Sequence, residues 1–80
     1  MTEIPLTRLA PGSLARVVRV MADGDSRRRL QEMGLVSGAS VSFVRAAPLG
    51  DPIEVRIRGY HLSLRKAEAE KVIVRANEMP

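Results

Sequence analysis

Between the loop Pro48-Leu49-Gly50-Asp51-Pro52 and Gly59 the chain alternates without a break, with Ile53, Val55 and Ile57 apolar and Glu54, Arg56 and Arg58 charged. A period of two sends successive side chains to opposite faces, so this stretch reads as a half-buried strand with one wet side. The glycines and prolines at its ends limit it to one short crossing of a small fold. The remainder of the 80 residues must supply an apolar surface for that strand to lie on.

The flanking segments supply it in similar short pieces. Ser13 to Met21 reads as a first strand with Leu14, Val18 and Val20 on one face, although Val17 breaks the alternation. Ala39 to Ala47 reads as a second strand, and the shift from Val41 and Phe43 to Val44 predicts a bulge or a sharp bend. After the Ile53–Arg58 strand and a Gly59-Tyr60 turn, His61 to Arg65 forms a fourth, with Leu62 and Leu64 inward. Val72 to Arg75 forms the last. Ahead of these, Met1 to Gly12 is a lead-in in which Leu6 and Leu9 cover one end of the core.

Two helical pieces interrupt the strands. Asp25 is a suitable N-cap for a helix from Ser26 to Met33, with Leu30 and Met33 inward and Gly34 in the left-handed C-terminal position. Lys66 to Lys71 has length for about one or two turns. Ala76 to Pro80 reads as a frayed tail. The expected architecture is all-β: a small, bent, five-stranded barrel with one short inserted helix and a short helical turn before the last strand. Closure of the barrel would remove strand edges. One domain is expected over residues 1–80, with its core from about residue 6 to 76.

Composition narrows the chemistry. There is no cysteine, hence no disulfide and no thiolate metal site, which fits a reducing compartment. No stretch approaches the roughly 20 apolar residues that cross a bilayer, and Met1 to Pro11 lacks a signal-peptide pattern. A cytoplasmic protein without membrane insertion is expected. His61 is the one histidine, and it sits at a strand start without the partners of a nucleophilic triad. Glu68 and Glu70 point to different helical faces, the carboxylates are scattered, and no glycine-rich phosphate loop is present. The expectation is a binding protein with no catalytic residue, cofactor or metal site.

The net charge of +4, nearly all of its cations arginine, suits an anionic partner or simple solubility. Arg27-Arg28-Arg29 falls in the first turn of the expected helix, where the macrodipole disfavours each exposed cation by about 0.3–1 kcal/mol. Such a conflict marks either a binding surface or a solvated face neutralised by Asp23, Asp25 and Glu32. Arg28 points away from the Leu30/Met33 face. Leu49, in a tight loop between prolines, either folds back onto the barrel end or serves as a pre-ordered apolar tip. A stripe of Arg45, Arg56 and Arg58 suits phosphates. Nucleic-acid barrels add aromatic stacking platforms, however, and only Phe43 and Tyr60 are available here.

Four segments together resemble the FeoA family of ferrous-iron transport accessory proteins, over about Thr7 to Arg75. They are Leu9-Ala-Pro-Gly12; Arg28-Arg-Leu-Gln-Glu-Met-Gly-Leu35 followed by Ser37-Gly38; Ala47-Pro-Leu-Gly-Asp-Pro-Ile53; and Leu62-Ser-Leu-Arg-Lys-Ala-Glu-Ala69 leading into Val72-Ile-Val74. The resemblance implies an SH3-like barrel and a regulatory adaptor that docks on the cytosolic part of FeoB, the membrane transporter. Candidate partner contacts are Arg27, Arg28, Arg29, Leu30 and Leu49, with Leu30 also a core candidate. The rival readings are a small basic nucleic-acid-binding barrel and a domain that self-associates along an open strand edge.

Overall fold

All five expected strands are present, and a sixth precedes them. The structure, a computed structural model, describes residues 2–76. Its strands are β1 (Glu3–Pro5), β2 (Leu14–Val20), β3 (Ser40–Ala46), β4 (Ile53–Ile57), β5 (Tyr60–Leu64) and β6 (Val72–Ala76). Helix α1 covers Gly24–Glu32 and α2 covers Lys66–Ala69. Every ladder is antiparallel, in the order β1-β6-β2-β3-β4-β5. The lead-in is therefore partly strand: Glu3 pairs with Arg75 and Pro5 with Ile73, followed by a 3-10 turn at Leu6–Arg8. Leu6 and Leu9 are buried as expected. Of the expected tail, Ala76 closes β6 and residues 77–80 lie outside the described residues.

Strand β4 keeps its alternation, with Ile53, Val55 and Ile57 in the core. It stops at Ile57, because Arg58 and Gly59 form the turn and Ile57 pairs directly with Tyr60. Both turn residues have positive φ, +52° and +84°, which gives a two-residue hairpin whose twist matches that of its strands. The β3 bulge falls between Phe43 and Arg45, as the shift in pattern predicted.

Strand β2 turns the other way from the expected face. Ala15 and Val17 are buried, Leu14 is exposed, and Val18 and Val20 are partly covered. A second bulge, between Val17 and Arg19 where β2 meets β6, changes the register, so no single alternation describes this strand.

Helix α1 begins two residues earlier than expected. Its N-cap is Asp23, whose side chain makes no capping hydrogen bond, and Asp25 lies inside the first turn. Arg28 and Arg29 consequently leave the first turn, and Arg29 occupies the last turn, where a cation is favoured. The C-terminus closes as anticipated. Gly34 has φ +104°, its N–H donates to the Gln31 carbonyl at 3.0 Å, and the Leu35 N–H donates to the Leu30 carbonyl at 3.1 Å. This paired closure brings Leu30 and Leu35 into the core together. Burying one leucine contributes about 1.5–3 kcal/mol, enough to hold a nine-residue helix that would not persist alone.

Among the described residues the ladder does not run round to join β1 and β5, so the barrel is not closed by hydrogen bonds there, contrary to the expected protection of the edges. Packing of α2 on the Leu6–Arg8 turn spans part of the opening instead. At the β1 side, Glu3 accepts hydrogen bonds from Arg19 Nη1 at 2.9 Å and Arg75 Nη2 at 3.1 Å, which ties β1 to β2 and β6. Those bonds, the one from Arg19 first, hold its carboxyl below the ordinary value of 4.5.

Candidate functional site

Because Leu30 faces the core, α1 turns its arginines to solvent: Arg27, Arg28 and Arg29 are all exposed. Arg28 stands 3.9 Å from Asp25, a pair exposed on both sides and correspondingly weak. Arg29 does more, since its guanidinium pairs with Glu68 of α2 and links the two helices. Glu68 is a double acceptor, because its other carboxylate oxygen takes the backbone N–H of Arg65 at 3.3 Å. Asp51, from the β3–β4 loop, takes the next N–H along, that of Lys66, at 3.0 Å. The exposed donors at the start of α2 are thus satisfied from two directions.

The loop carrying Leu49 is braced by the same contacts. The Gly50 N–H donates to the Ala47 carbonyl at 2.7 Å and the Ala47 N–H to the Pro52 carbonyl at 2.9 Å, while Asp51 anchors the loop to α2. At its tip Leu49 is 96% exposed, which excludes the alternative that it folds back over the core. Arg29, Glu68, Asp51 and Pro52 all line one cleft of about 480 Å³. The structure therefore brings α1 and the loop that carries Leu49 to one depression. Arg27 and Arg28 stand outside it. Leu30 is 1% exposed and has no surface to offer, so direct partner contact through it is withdrawn; its role is to seat α1.

The sequence reading missed Asp51 and Glu68. The offset from Arg65 to Glu68 is that of a capping box, a signal that was legible. Asp51 carried none, since its bond to Lys66 crosses 15 positions. The expected arginine stripe is broken up. Arg45 is paired with Glu54 at 3.1 Å, Arg56 with His61 at 2.9 Å, and Arg58 lies in the hairpin turn. Phe43 belongs to the core. Among the described residues, no group of three or more histidine, aspartate or glutamate side chains is placed to hold a metal ion. No described helix is long and apolar enough to cross a membrane.

The FeoA domain model matches residues 4–76. The chain belongs to the FeoA family. A curated relative of this FeoA protein is the Fe(2+) transport protein A/Fe(2+) transporter FeoB fusion protein of Porphyromonas gingivalis. It is 44% identical over 69 residues, which are 86% of this chain and 8% of the fusion protein. The chain thus spans a small part of the length of that relative. The solution structure of FeoA from Chlorobium tepidum matches at 45% identity and TM-score 0.85, covering 91% of this chain and 70% of the other. The zinc complex of FeoA from Stenotrophomonas maltophilia, described as a prokaryotic SH3 domain protein, matches at 34% identity and TM-score 0.77. That match covers 88% of this chain and 87% of the other. The all-β, SH3-like architecture expected from the strands and the resemblance is the one found.

Proposed function

We propose that this FeoA protein is a non-enzymatic accessory of ferrous iron transport, working in the cytoplasm by docking on the cytosolic part of an FeoB-type transporter. The observation that carries the reading is the fusion relative, in which an FeoA sequence and FeoB share one polypeptide. Tethering two modules raises their effective concentration for each other, which is useful when they interact.

The surface suited to the contact is the exposed face of α1, with Arg28 and Arg29, together with Leu49. A hydrogen-bonded loop that presents an apolar tip loses little entropy on binding. The arginines add attraction to an acidic partner surface. The one histidine is engaged by Arg56, and the cleft at α1 is lined by paired charges; both support a role in binding without catalysis.

The test is the affinity of the purified chain for FeoB in nanodiscs, with wild type beside Arg28→Glu and Leu49→Asp. Both substitutions are at exposed positions and should leave stability within about 0.5 kcal/mol. Loss of binding in both variants supports the docking surface as drawn. Binding unaffected by either moves the site elsewhere, and failure of folded wild type to bind at physiological salt overturns the docking reading.

A further inference from the structure

On the wet face of the sheet, away from the α1–α2 link, Ser42, Arg56 and His61 stand in one cross-strand row. Ser42 pairs with Arg56, and Arg56 with His61. Arg56 Nη2 lies 2.9 Å from His61 Nε2. A guanidinium has no acceptor, so a hydrogen bond between the two requires the imidazole nitrogen to accept. The pair rims a cleft of about 310 Å³ completed by Gly12, Ser42, Phe43 and Val44, with Val44 inside the β3 bulge.

The surroundings leave the pair cationic. Glu54, next along that face of β4, is held by Arg45 at 3.1 Å. Arg58 occupies the adjoining turn, Tyr60 precedes His61 on β5, and β3 offers only the Ser42 hydroxyl in this row. Among the described residues Arg56 has no carboxylate partner.

We propose that this cleft is a carboxylate-binding site whose occupation is linked to proton uptake by His61. A carboxylate matches the planar fork of a guanidinium and takes its donors in pairs, a stronger contact than a neutral imidazole provides. The imidazole then loses the Arg56 donor, its Nε2 lone pair faces an anion, and it takes one proton from solvent to become a second charged donor. The Ser42 hydroxyl supplies a third. Binding strengthens as pH falls through about 8 to 5, the range in which histidine changes charge.

The test is an NMR titration of the full chain at constant ionic strength, at about pH 6 and about pH 8, which bracket histidine titration. The probes are succinate, inorganic phosphate and a blocked peptide containing Asp-Glu-Asp. Carboxylate probes should shift Arg56 and His61 selectively and bind about threefold or more tightly at the lower pH. Arg56→Gln should weaken them about tenfold or more, and His61→Gln should bind with no pH dependence. By linkage, the ligand should also move the His61 titration to higher pH. A peptide stronger than succinate makes the ligand an acidic protein segment, and equal affinities make it a free small carboxylate. The proposal is overturned if phosphate binds as well as the carboxylates. It is equally overturned if shifts spread over Arg27–Arg29, or if Arg56→Gln changes nothing.

Discussion

A β-carbon on Gly34 would stand 3.1 Å from Cγ2 of Ile57. Ile57 is 1% exposed and locked in β4, so the methyl has nowhere to retreat. Gly34 also holds φ +104°, outside the range of L side chains. Gly34→Ala should therefore cost about 1–3 kcal/mol. Urea unfolding should show a lower midpoint with an unchanged slope. An unchanged midpoint would mean that the helix end and β4 part more readily than their packing implies.

Leu30 and Leu49 are leucines of opposite fate, one 1% and the other 96% exposed. Leu30→Ala should destabilise by about 2–5 kcal/mol through lost burial and the cavity left behind. Leu49→Ala should fall within about 0.5 kcal/mol of wild type. Thermal melts of the two variants check both numbers. They also decide whether any binding defect of a Leu30 variant reflects contact or unfolding.

Arg58 adopts φ +52° in a hairpin turn that favours Asn-Gly. Relieving the strain by Arg58→Asn should stabilise the chain by roughly 0.5–1 kcal/mol. Denaturation that shows no gain would place the strain elsewhere.

Glu3 has a lowered carboxyl pKa because Arg19 and then Arg75 bond to the charged form. The sign follows from the direction of the shift. The contribution to stability is present above the ordinary value of 4.5 and is lost as pH falls below it. Stability measured from about pH 6 down to about pH 3 should fall more steeply for wild type than for Glu3→Gln. The gap should narrow at high salt, since the cluster is solvent-exposed. Parallel curves would show that Glu3 orders β1 without strengthening the fold.

What could be read in the chain was what local pattern controls. β4 announced itself by strict alternation, the β3 bulge by a shifted apolar position, and the end of α1 by a glycine followed by Leu35. β1 was hidden because three residues ending in Pro5 carry no period, and their partner, β6, lies at the other end of the chain. The face of β2 was misread because a bulge at Val18 makes consecutive valines ambiguous. Asp25 has the chemistry of a cap, but the helix starts from Asp23, and that shift of two residues takes Arg28 and Arg29 beyond the first turn. At the candidate site, the exposure of Arg28 followed from helical geometry. The direction of Leu49 could not follow from any pattern, because a loop has no repeat to count.

Strand β6 lies between β1 and β2, so residues 72–76 form an interior strand of the sheet. During synthesis, β1 and β2 emerge early with no mutual ladder; β2 can pair with β3, but its join to β1 must wait for a strand made more than fifty residues later. Most of the chain is therefore outside the ribosome before the sheet becomes continuous, and folding is a late, all-at-once event governed by distant pairing. Until then the β2–β3–β4–β5 run, whose neighbours are also adjacent in sequence, is the part able to form first.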